Sequence, residues 1–104
     1  MSAYGGWRTA TIANGAATSD EVDLGRDFEF LDIILPTLTS CTIKIQVAKV
    51  GSGTYQDLGS SITTGTTTGA YSTTFKLGGW QNIKVVSSVN QGAAKSIEVR
   101  GWRF

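Results

Sequence analysis

The chain has 104 residues, nine Lys and Arg against eight Asp and Glu for a net charge of +1, 40% hydrophobic residues, and no histidine. That length holds one domain, residues 1–104, around one core, and the near-neutral balance lacks the basic face that nucleic-acid binding requires. Without histidine there is no Ser–His or Cys–His pair and no imidazole ligand, and the single Cys41 can form neither an internal disulfide nor a thiolate metal cage.

Thr, Ser and Gly supply most of the polarity, which suits strand faces and turns better than helix surfaces. In chain order, Arg8 to Ala13 reads as a strand ended by Asn14-Gly15, and Asp20 to Leu24 as a second ended by Gly25. Phe28 to Leu35 is almost continuously apolar and stops at Pro36, which predicts a central strand covered on both faces. Cys41 to Val50 alternates, with Ile43, Ile45 and Val47 on one face and Thr42, Lys44 and Gln46 on the other. Gly51-Ser52-Gly53 predicts a turn into a strand from Thr54 to Leu58. The low-complexity stretch Gly59 to Gly69 reads as a loop with a short edge strand at Ser61 to Thr64. Ala70 to Leu77 alternates, Gly78-Gly79 leads through Trp80 into Gln81 to Ser87, and Lys95 to Phe104 closes the chain. Seven to eight strands and no helix predict an all-β fold, an antiparallel β-sandwich of jelly-roll-like type.

No apolar run of about 18 residues offers a membrane span, and the opening MSAYGGWRTA lacks the basic and apolar blocks of a signal peptide. Synthesis in the cytoplasm with a reduced, structural thiol at Cys41 is the expectation. Two carboxylates suffice for a glycosidase, but a sandwich this small leaves no room for a deep cleft. No enzymatic activity, cofactor or metal is expected. Asp20, Glu21, Asp23, Asp27, Glu29 and Asp32 crowd one region but lack calcium-loop spacing and read as a solvated acidic strand pair. Lys76, Lys84, Lys95, Arg100 and Arg103 give the later part the opposite sign, which either steers a neighbour or pairs within the fold.

Gly-Trp-Arg occurs at Gly6-Trp7-Arg8 and again at Gly101-Trp102-Arg103, next to Phe104. Trp and Arg are frequent interface anchors, so Trp7, Arg8, Trp102, Arg103 and Phe104 are the candidate partner-binding residues. Trp80 enters a strand with Ile83 and Val85 and is expected in the core.

The segments ATIANGAATSDEVDLG, ILP, TYQDL, GGWQNIKVVSS and VNQGAAKSIEVRGWR follow one another from Ala10 to Arg103. In that order the chain resembles the short β-sandwich virion structural proteins of tailed bacteriophages. It departs from their pattern in having Gly51-Ser52-Gly53-Thr54-Tyr55-Gln56 and Val86-Ser87-Ser88-Val89. The resemblance implies a structural protein of the virion, foremost a capsid decoration (cement) protein on the outer head surface. Its partner would be the major capsid protein or another virion protein, and it would act as a homo-oligomer. The alternatives are a carbohydrate- or receptor-binding module of a tail or fibre, or a head–tail connector component.

Overall fold

A computed structural model describes residues 3–38, 41–51, 53–64 and 71–103, and every regular element among them is a strand. These are β1 (Ala3–Tyr4), β2 (Arg8–Ile12), β3 (Val22–Leu35), β4 (Cys41–Ala48), β5 (Gln56–Thr64), β6 (Tyr71–Ser87) and β7 (Lys95–Arg103). All pair antiparallel in one hydrogen-bonded sheet of order β1-β7-β3-β6-β4-β5, and β2 also pairs with β7.

Strand boundaries differ from the sequence reading because glycine bends strands here without ending them. The segments expected as Asp20 to Leu24 and Phe28 to Leu35 are one 14-residue strand, β3. Its register slips on either side of Phe28, and Gly25 (φ 90°) takes up the irregularity. Likewise Ala70 to Leu77 and Gln81 to Ser87 join as the 17-residue β6 through Gly78 (φ 78°) and Gly79 (φ 98°). A side chain at such φ values is strained, whereas glycine is not. Each long strand therefore has two arms: residues 71–76 of β6 pair with 30–35 of β3, while 82–87 pair with β4. Part of the expected Gly59 to Gly69 loop belongs to β5, which is an edge strand, and 65–70 lie outside the described residues. The strand at β1 carries no signal in the sequence.

Side chains from both arms share one core. Leu31 and Ile33 of β3 and Ile97 and Val99 of β7 join Ile43 and Ile45 of β4 and Ile83 and Val85 of β6, all fully buried. Each such aliphatic side chain contributes about 1.5–3 kcal/mol relative to an exposed position. The expectation that Phe28 to Leu35 is covered on both faces is corrected. Phe28, Leu31, Ile33 and Leu35 are buried, while Ile34 is 37% exposed and Asp32 is partly exposed. The outer face carries the Asp32–Arg100 ion pair across β3 and β7, at positions that water reaches. Gly101 is needed for a different reason: the Phe28 ring lies over it, and a Cβ there would clash with Phe28 Cδ2. Cys41 is buried beside the fully enclosed Gln91, whose amide donates to Ser87 Oγ at 3.0 Å. Trp80 is partly buried and packs on the edge of the core rather than inside it, directly after the Gly78-Gly79 bend.

Candidate binding face

Strand register brings the outward residues of β7, β3 and β6 into three rows. Trp102, Phe30 and Lys76 are opposite one another, then Arg100, Asp32 and Thr74, then Glu98, Ile34 and Ser72. This follows from alternation: once Leu31, Ile33, Val99 and Phe75 enter the core, the residues between them face water. β1 adds Tyr4 opposite Trp102, and the loop after it brings in Trp7.

Asp32 and Arg100 organise the face. Arg100 donates to Asp32 Oδ2 at 2.8 Å, while Trp102 Nε1 (2.8 Å) and Thr74 Oγ1 (2.9 Å) donate to Oδ1. The guanidinium carbon of Arg100 lies 4.6 Å from the Trp7 ring centre and 4.8 Å from that of Tyr4, so aromatic rings hold the cation as well as the carboxylate does. Trp102 stacks on Phe30 at 4.5 Å and on Tyr4 at 5.7 Å. Partial burial pushes the Asp32 carboxyl upward, but the hydrogen bonds from Arg100, Thr74 and Trp102 and the Arg100 charge outweigh it, and the net shift is downward. Among the described residues, Arg100 Nε is buried with no acceptor. The guanidinium is thus fixed in place rather than solvated freely. Trp7 stays 46% exposed above it, beside a shallow depression of about 410 Å³ bounded by Trp7, Asp32, Ile34, Ser72, Thr74 and Arg100.

Among the residues singled out by sequence, Trp7 and Trp102 meet around Arg100. Arg8 does not join them; its guanidinium lies beside Gly25 and its charge lowers the Asp23 carboxyl. Arg103 follows Trp102 in β7 and so takes the opposite face, and Phe104 lies outside the described residues. Sequence reasoning missed Tyr4, Phe30 and Thr74, and it left Asp32 and Arg100 among general charge patterns. The period-2 spacing of Phe30, Asp32 and Ile34 and of Glu98, Arg100 and Trp102 marks each set as one face, but it says nothing of their pairing.

The opposed charges of the two chain regions are matched within the fold at Asp32–Arg100. Three more of the clustered acids accept hydrogen bonds. Glu21 accepts from the Tyr55 hydroxyl, Asp20 from the Thr11 amide at 2.8 Å, and Asp23 from Gln81 at 2.9 Å and the Gly25 amide at 2.8 Å. The Gln81 hydrogen bond first, then that from Gly25, lowers the Asp23 carboxyl. Burial and the bond to Glu21 raise the Tyr55 phenol well above its ordinary value. Among the described residues, no group of three or more acid or thiol side chains is placed to hold a metal ion.

No family model matches the chain, and no curated protein does. Solved structures do match. The SPBc2 prophage-derived protein YomS superposes with a TM-score of 0.57 at 16% identity, over 93% of each chain. A chitosan-binding module of a chitosanase/glucanase from Paenibacillus sp. IK-5 gives 0.56 at 20% identity, over 88% of this chain and 74% of the module. A fucosidase from Ruminococcus gnavus matches with 0.51 at 18% identity, over 84% of this chain but only 18% of the enzyme. Likenesses at these identities show a shared fold.

Proposed function

We propose that this chain is a non-enzymatic structural protein of a tailed-phage virion that attaches to the particle through the face built around Arg100. The observation that carries this reading is the preorganised set of Trp7, Tyr4, Trp102 and Arg100 on an open sheet. Aromatic and Arg side chains are the commonest hot spots of protein interfaces. Side chains already locked by an ion pair and stacking lose little further freedom on docking. The likeness of the fold to a prophage-derived protein and the sequence resemblance from Ala10 to Arg103 support the same assignment. In this reading the two arms of the sheet close as a jelly-roll-like sandwich, supported by the single core they share. The particle site is the outer surface of the head, the partner is the major capsid protein, and the protein docks as a homo-oligomer whose copies reinforce one another by avidity.

A second reading, a carbohydrate-binding module of a tail or fibre, draws on one specific observation. The depression beside Trp7 combines an exposed indole with the Ser72 and Thr74 hydroxyls and the Asp32 carboxylate, and the fold is also that of a chitosan-binding module. Copy number on purified particles, measured together with binding to chitosan and neutral oligosaccharides, separates the two. Stoichiometric occupancy of heads without saccharide affinity is the expected result. Saccharide affinity without occupancy of heads overturns the decoration assignment.

A further inference from the structure

A second recess lies on the other arm of the sheet and shares no lining residue with the face around Arg100. It has a volume of about 320 Å³, at the small end of ligand pockets. Buried Val47 and Ala48 at the end of β4 line it, with Lys49 just after them, Thr54 before β5, Gln56 at the start of β5, and Trp80 of β6 as an aromatic wall. Val47 and Gln56 are cross-strand partners, so the shape of the recess is fixed by the ladder.

The chemistry of the lining is one-sided. Lys49 is its one charged residue among those described. Among the described residues, no hydrogen bond engages the side chains of Lys49, Thr54 or Gln56, or the Trp80 indole N–H. Four side chains that carry hydrogen-bond donors, those of Lys49, Thr54, Gln56 and Trp80, thus line one recess that holds an aromatic ring and no carboxylate. A neutral apolar ligand leaves those donors unmet, at a cost for each. A sugar ring with an apolar C–H face, hydroxyls and one carboxylate offers a partner to each, with the charge-assisted bond to Lys49 the strongest.

We propose that this recess binds a hexuronate-containing saccharide, with the pyranose ring against Trp80 and the carboxylate on the Lys49 ammonium. The site is independent of the face around Arg100 and of the particle assignment. A virion protein carrying both would attach by one region and hold an acidic polysaccharide by the other.

The test titrates the full chain with cellobiouronic acid and with cellobiose, which differ in that one carboxyl, while following the Trp80 indole resonance by NMR and the heat by calorimetry. The acid is expected to shift the Trp80 N–H signal and to bind at least about tenfold more tightly than cellobiose, with affinity falling as salt rises. Lys49→Glu, at an exposed position, is expected to keep the wild-type melting temperature and lose binding of the acid about tenfold or more; Gln56→Ala weakens it less. Equal binding of the two sugars overturns the proposal, as does absence of binding by the acid. Binding of the acid that is unchanged in Lys49→Glu, or that leaves Trp80 unperturbed, overturns it too.

Discussion

Asp32 is where alternation puts any solvent-facing side chain of β3, yet it accepts from Arg100, Thr74 and Trp102 at once. Its carboxyl is held below the ordinary value of 3.8, so the charged form stabilises the fold. Such a contribution is complete above the unfolded-state value and is lost as pH falls through the lower, folded-state value. Asp32→Asn is expected to lower stability by about 1–3 kcal/mol at neutral pH. The gap between variant and wild type should close as pH drops below 3.8. Thermal melts of both proteins from pH 7 to pH 2 check this, and a gap that persists at the acid end contradicts the role given to the carboxylate. The repeated Gly-Trp-Arg made Trp7 and Trp102 legible in the sequence. The role of Asp32 was not, because its partners Arg100 and Trp102 lie 68 and 70 residues away and only the register of β3 on β7 joins them.

Alternation in the elements was a sound guide to faces but a poor guide to ends. Ile43, Ile45 and Val47 are buried as the pattern of β4 predicts. Ile45→Asp is expected to unfold the domain, since an unpaired buried carboxylate costs several kcal/mol; a folded circular-dichroism spectrum with an unchanged melt contradicts that assignment. Gly25, Gly78 and Gly79 read as strand breaks because glycine usually marks turns. In the fold they are bends inside β3 and β6, where cross-strand hydrogen bonding continues past them. The nearly unbroken apolar run of β3 misled about coverage, because it includes Phe30 and Ile34, which face outward and interrupt the pattern with apolar residues on a wet face. Gly101 belongs to this scale as well. It lets Phe28 cross β7, and Gly101→Ala is expected to cost about 1–3 kcal/mol by overpacking, read as a lowered melting temperature. An unchanged melt would mean that the ring does not lie over that position.

The whole molecule separates an inner problem from an outer one. One buried cluster from both arms holds the fold, and the outer side of β7, β3 and β6 carries Arg100, Asp32 and the rings of Phe30 and Trp102. The all-β class followed from composition and turn spacing. The sharing of one core by residues of both arms did not, because it depends on where β3 and β6 bend and change partners. Trp80 and Trp7 divide along the same line: Trp80 packs on the core, whereas Trp7 lies over Arg100 and stays 46% exposed.

Occupancy of depleted phage particles by wild type, Trp7→Ala and Trp80→Ala, each paired with its own melting curve, tests attachment through the Arg100 face most directly. Trp7→Ala is expected to melt within about 1 kcal/mol of wild type, the worth of one exposed cation–π contact. Its attachment should weaken about thirtyfold per copy, the equivalent of about 2 kcal/mol for an interface anchor. Trp80→Ala is expected to lose more stability than Trp7→Ala and, where still folded, to keep its attachment. Wild-type occupancy by Trp7→Ala, or a melt as low as that of Trp80→Ala, would contradict attachment through this face.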